Sequence, residues 1–323
     1  MRVAAAGVDT WTQNWRLDVD SSAARAAAEL ATVNSRRGMM LPEPIVGHRV
    51  IWEEAHSLLR AEGHPSGDKK DLCAVAGLPA AALRLMEGLA NLGIEVPTEQ
   101  GAFYESEHQW LGVSRLDSTV NFETDGCAHG LSLLAGVSAA EPTAWFEPVT
   151  RREAGGRGIK QVHWTGQRGI VARVYDKGLE SQAAPRGELL RFEAQTRWPG
   201  PSRRELGELT PDYVAQVHRQ RFAPLYRATE GVKIVTTDRA GEHLARFVAE
   251  ERITPGQAVQ AAGQLLLAQA GQKVGSRTSQ WRRRRLVADL GLVLGEDGQQ
   301  QQEIDLAGVM AQVVDTDAWE RRG

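Results

Sequence analysis

The chain has 323 residues, 42% hydrophobic and 24% charged, with a formal net charge of −3. That is the composition of a folded globular protein with length enough for two domains, and the overall charge gives no global attraction to nucleic acid. No apolar run approaches the roughly 20 residues of a membrane span, the N-terminal MRVAAAGVDTWTQNW turns polar too soon for a secretory signal, and two cysteines, Cys73 and Cys127, make neither a disulfide framework nor a metal motif. A cytoplasmic protein with no membrane partner is expected.

In chain order, VDTWTQNWRLDV (8–19) reads as a strand and DSSAARAAAELATVN (20–34) as a capped, alanine-rich helix. Residues 38–45 form a Gly/Pro-punctuated loop. HRVIW (48–52) reads as a strand, EEAHSLLRAEG (53–63) as a short helix ended by Gly63, and PAAALRLMEGLANLG (79–93) as a helix begun by Pro and closed by Gly. The middle changes period. VSRLDSTVNFE (113–123), KQVHWTG (160–166), GIVARVYDK (169–177) and LLRFEAQTRW (189–198) all alternate, and TGQRG reads as a hairpin turn between the second and third. From residue 211 the patterns PDYVAQVHRQRF, RAGEHLARFVAEE, TPGQAVQAAGQLLLAQAG and SRTSQWRRRRLVADLG are helical, and GQQQQE (298–303) is a polar linker.

Strand alternation sorts the middle segments into two faces. Leu116, Val120, Phe122, Val162, Trp164, Val174, Leu190 and Phe192 fall on apolar faces. Asp117, His163, Arg173, Tyr175, Lys177 and Glu193 fall on polar ones. A polar face is either the wet side of an antiparallel sheet or a functional surface. If functional, Arg173 and Lys177 beside Tyr175 favour a phenolate and attract phosphate. Asp117, Glu193 and His163 offer hard oxygens and one imidazole, donors that suit Mg2+ or Mn2+. Such an ion polarises a phosphoryl oxygen.

The ordered segments SRLDSTVNFE, VHWTGQRGIVARVYDKGLE and LLRFEAQTRW resemble the rolling-circle replication initiators of the Rep_trans type and the filamentous-phage gene II (II/X) replication proteins. SRTSQWRRRRLVADLG resembles the basic helical segment of the gene II branch. The resemblance covers 113–198 and, less fully, 253–294. It implies an enzyme that nicks one strand of a double-stranded origin with a tyrosine and a divalent metal. Tyr175 is then the nucleophile, with Arg173 and Lys177 beside it, and Asp117 and Glu193 are the acids. The chain departs from the related nucleases that carry two histidines on one strand, since His163 is followed by Trp164.

Tyr213 and Tyr226 are rival tyrosines on a predicted helix; thirteen residues apart, they point in separate directions and form no paired site. Asp9, in the first strand, is a further candidate acid. Arg277 and Arg282, Arg283, Arg284 and Arg285 place five cations within nine residues, either a solvated helix face or a contact to DNA phosphates. The resulting expectation is an α+β catalytic domain over 1–229 with a mixed or antiparallel central sheet, and a helical DNA-recognition domain over 230–323. The expected function is sequence-specific nicking and rejoining through a covalent phosphotyrosine, starting rolling-circle replication of a phage or plasmid. The partners are origin duplex DNA, the nicked single strand and a host helicase. The alternatives are a metal-dependent hydrolase without an adduct and a non-catalytic DNA-binding repressor.

Overall fold

A computed structural model describes residues 2–18, 20–35, 48–67, 71–96, 112–124, 127, 130–131, 134, 147–152, 159–166, 169–181, 185, 187–199, 202–229, 233–235, 237–269, 274–294, 306–314 and 319. The fold is α+β. Its strands are β1 (Arg2–Arg16), β2 (His48–Glu53), β3 (Leu58–Gly63), β4 (Gly112–Glu123), β5 (Glu147–Arg152), β6 (Ile159–Gly166), β7 (Gly169–Asp176), β8 (Leu189–Arg197), β9 (Lys233–Val235) and β10 (Leu292–Leu294). Its helices are α1 (Ser22–Ser35), α2 (Leu78–Asn91), α3 (Lys177–Ser181), α4 (Pro211–Thr229), α5 (Thr237–Ala249), α6 (Pro255–Gln269), α7 (Arg277–Leu290) and α8 (Leu306–Val314). Eight strands follow the hydrogen-bonded order β2-β3-β1-β4-β8-β7-β6-β5, while β9 and β10 form a separate parallel pair. No described helix is long and apolar enough to cross a membrane.

The chain divides into two compact units. The first comprises Ala5–Val120, Glu193–His218 and Thr316–Gly323; the second comprises Met1–Ala4, Asn121–Phe192 and Arg219–Asp315.

In the first unit, β3 pairs antiparallel with both β1 and β2, and Leu59 lies opposite Trp15 on one side and Trp52 on the other. This corrects the expected helix over 53–63. Only Glu54–His56 turns, as a single 3-10 turn closed by Ser57 in the left-handed conformation (φ 51°, ψ 38°), and the chain then returns as β3. Leu58 and Leu59 are both fully buried; Leu59 has a tryptophan opposite it on each neighbouring strand, and such pairing overrides local helix preference. Strand β1 also begins earlier than its pattern indicates, taking in the alanines at 4–6. α1 starts as expected: the Ser21 hydroxyl accepts from the Ala24 N–H at 3.1 Å. α2 opens with Pro in its first turn.

α4 is anchored to this unit by a buried polar contact. His218 Nδ1 lies 3.0 Å from Ser118 Oγ and 3.2 Å from the Ser118 carbonyl, and Trp319 meets the imidazole edge-on at 5.2 Å.

In the second unit, β6 and β7 form the expected hairpin, with Gly166 opposite Gly169. Phe122, Phe192, Phe222 and Trp164 interlock as edge-to-face pairs 5.3–6.2 Å apart, which brings one ring each from β4, β8, α4 and β6 into one core. A separate cluster joins α5, α6, α7 and β10 through Leu244, Phe247, Ile253, Ala261, Leu265, Val287 and Leu292. Pro255 opens α6 and Gly291 (φ 63°) follows α7, as their sequence positions indicate. The predicted loop at 38–45 and the linker at 298–303 lie outside the described residues.

Burial lowers the His218 imidazole from 6.5 to about 3, a hydrogen bond to the Ser118 backbone opposing the shift only in part. Between these values the unfolded chain binds a proton that the folded chain does not, so stability is lost as pH falls below 6.5. At pH 5 the loss should reach about 2 kcal/mol. Urea unfolding at pH 7 and pH 5 should show this drop in the parent and not in His218→Gln.

Candidate functional site

In the second unit, strand register brings three of the predicted polar residues, together with Gln161, to one face. Tyr175 lies opposite Gln161 and Arg173 opposite His163 across the β6–β7 pair, and directly opposed residues share a face. The Arg173 guanidinium stands 4.7 Å from the centre of the Tyr175 ring and the Lys177 ammonium 6.0 Å from it. His163 Nδ1 is 3.2 Å from the Gln161 amide nitrogen. Lys177 does not continue the strand alternation: β7 ends at Asp176, and Lys177 is the first residue of α3. The cause is Asp176, whose Oδ1 accepts from the Leu179 N–H at 3.2 Å and whose Oδ2 accepts from the Gly187 N–H at 2.8 Å. The first bond caps the short helix; the second ties the turn that leads into β8.

Glu180, one helical turn beyond Lys177, was not singled out by the alternation. Its Oε2 accepts from Lys177 Nζ at 2.8 Å and its Oε1 lies 3.8 Å from Arg173 Nη1, so one carboxylate bridges the two cations beside Tyr175. The i, i+3 spacing from Lys177 was the available signal.

In the first unit, Arg115 grips Asp117 with two bonds, Nε to Oδ1 at 3.0 Å and Nη2 to Oδ2 at 2.6 Å, and donates from Nη1 to Glu62. Burial alone would lower the Arg115 value, but the hydrogen bonds it donates to Asp117 and the charges of Asp117, Glu62 and Glu193 raise it. One guanidinium is thus held among three carboxylates. Glu62 was missed because its segment was read as helix. Asp9 is in β1, as expected; its carboxylate is 3.8 Å from His64 Nδ1, and its carbonyl is 2.7 Å from the same nitrogen.

The polar residues are not a wet face. Asp117 is 1% exposed, Glu193 2%, Tyr175 3% and Lys177 3%. Charged groups buried to this extent need charged or hydrogen-bonding neighbours, and those described above are such neighbours. The acids are carboxylates, hard donors of the kind Mg2+ or Mn2+ takes. Asp117 turns both oxygens to Arg115, so an ion there would compete with the guanidinium. Among the described residues, no group of three or more His, Cys, Asp and Glu side chains is placed to hold a metal ion. Neither thiol is an available nucleophile: both cysteines are buried, and burial, with the Asp176 charge adding to it, pushes Cys127 up to about 12.

The rival tyrosines are on α4, as expected. Tyr213 stacks on Trp198 at 6.3 Å and carries the Arg204 guanidinium at 5.5 Å.

The α7 arginines divide. Arg283 is half-buried; its Nε donates to the Ser279 carbonyl at 3.3 Å and its Nη2 donates to the Val274 carbonyl, fixing the loop before the helix. Arg284 is also half-buried. Arg282 and Arg285 are exposed, and Arg285 pairs with Asp289 at 3.3 Å. The side chain of Arg277 lies outside the described residues.

Comparison of the chain with protein-family models, with curated proteins and with solved structures finds no match.

Removing one partner of a buried ion pair costs about 3–5 kcal/mol. Arg115→Gln should therefore lower unfolding stability by about 3 kcal/mol, the lower end because Arg115 retains some exposure. Asp117→Asn added to it should recover part of the loss. Denaturant unfolding of the two variants measures both.

Proposed function

We propose that the chain is a DNA-nicking and rejoining enzyme that starts rolling-circle replication, with Tyr175 as nucleophile. The observation that supports this most is the Arg173–Tyr175–Lys177 arrangement, a phenol beside two cations. These cations favour negative charge on the oxygen as its proton leaves, and they attract a phosphate. The phenolic oxygen forms a bond to phosphorus and the bond to the 3′ oxygen of the leaving nucleotide breaks. That oxygen takes up a proton. The product is a phosphotyrosine and a free 3′ hydroxyl, the end a polymerase extends; the reverse reaction rejoins the strand.

Asp117 and Glu193 are the residues that would hold Mg2+ or Mn2+ in this reading, and the ion would supply Lewis-acid polarisation of the phosphoryl group. His163, grouped with Arg173 and Tyr175, serves as a phosphate contact. The nuclease-like assignment of the sheet, and the use of the α5–α7 cluster as a duplex-recognition domain, belong to the same proposal, as do origin DNA and a host helicase as partners.

A second reading, a DNA-binding protein without chemistry, is favoured by one observation: Tyr175 is 3% exposed, as a structural tyrosine would be. Incubation with supercoiled origin DNA and Mg2+, followed by a denaturing gel, separates the two. Tyr175→Phe should abolish both nicking and the covalent adduct, a chelator should do the same to the parent, and origin affinity should stay within about threefold, because removing a hydroxyl costs little binding. Binding by the parent with neither nick nor adduct supports the second reading, and nicking without an adduct supports a hydrolase.

The exposed arginines should carry the salt dependence of duplex binding. Arg282→Ala with Arg285→Ala should reduce the salt slope by about two units, with an unchanged melting curve. Arg283→Ala should instead lower the melting temperature, because it frees the Val274 carbonyl. Affinity at several salt concentrations, beside a melt, checks both.

A further inference from the structure

We propose that Trp281, with Arg282 and Arg285 beside it, is a stacking platform for unpaired bases of single-stranded DNA; this rests on the nicking reading, in which a freed strand must be held.

Trp281 is 48% exposed, and it is the single aromatic among the exposed large hydrophobic side chains of the described residues. A helical wheel explains why. At 3.6 residues per turn, Thr278, Trp281, Arg282, Arg285 and Asp289 fall within an arc of about 100°, and all five are exposed. Val287, on the far side, is in the core of the α5–α7 cluster. Arg283 points to the Val274 carbonyl and takes no part in this face. The helix therefore presents an indole with two guanidiniums and no second apolar side chain on the same arc. Asp289, the acid on that arc, is engaged by Arg285 in an exposed pair, which a polyanion can replace at little cost.

This chemistry discriminates among polyanions. Base faces are hidden in a stacked duplex, where phosphates alone would meet Arg282 and Arg285. An unpaired strand offers both a ring face for the indole and phosphates for the arginines. Stacking of a base on an aromatic side chain strengthens binding about tenfold or more and tolerates any sequence. A protein partner is less suited, since one ring between cations buries little apolar area.

The test uses the full chain, fluorescence anisotropy with a labelled oligothymidylate and with a labelled duplex, and a melting curve for each variant. Trp281→Ala should weaken oligothymidylate binding about tenfold and change duplex affinity by less than about twofold. Trp281→Phe should stay within about threefold on the single strand, because the ring remains. Trp281→Leu, which keeps bulk without a π face, replaces Ala if the Ala variant melts early. The proposal is overturned if the parent does not bind oligothymidylate, if Ala and Leu leave that affinity unchanged, or if single strand and duplex weaken equally. Loss of self-association by sedimentation in place of DNA binding also overturns it. Failure of the nicking reading is seen elsewhere, as absence of the tyrosine adduct with native Tyr175.

Discussion

Charges taken out of water must be met within the protein, and the polar side of each unit is arranged around this demand. In the first unit Arg115 is the common partner of Asp117 and Glu62, with the Glu193 charge acting on it as well. In the second, Glu180 bridges Lys177 and Arg173, and the two cations flank the Tyr175 ring. Replacing these groups with apolar ones of similar volume would be at worst a small loss of stability.

The opposite faces are ordinary core. Phe122, Phe192, Phe222 and Trp164 interlock in one unit; Trp11, Trp15, Leu59 and Leu116 are buried in the other. This two-sided burial lets short segments of alternating sequence carry charged residues at every second position.

Much of this was legible because periodicity survives burial. The β4, β6, β7 and β8 segments and helices α5, α6 and α7 were predicted within a few residues, α4 runs on past its predicted segment to Thr229, α8 was not predicted, and the β6–β7 hairpin followed from its Gly-flanked turn. What escaped depended on partners distant in sequence. EEAHSLLRAEG has a plausible helical spacing, and only the tryptophans of β1 and β2 make it a turn and a strand. Short strands such as β9 and β10 have no period to read. Among the site residues, Tyr175, Arg173 and His163 share a face as their alternation indicated. Lys177 reaches the same tyrosine from a helix rather than from the strand, because a cap at Asp176 ends the alternation. A run of four arginines carries no information on direction; one of them, Arg283, is spent on a backbone carbonyl.

Asp176 has a consequence for how related sequences should be read. An acid next to a candidate nucleophile invites assignment as a general base. Here both of its carboxylate oxygens accept from backbone N–H groups, at Leu179 and Gly187. Its presence in a VYDKG-like string would report a strand-to-helix corner of fixed shape. A search pattern that scores this position would select proteins that share the corner, whatever their chemistry. Arg173, Tyr175 and Lys177, taken with Glu180, describe the cation-flanked phenol itself.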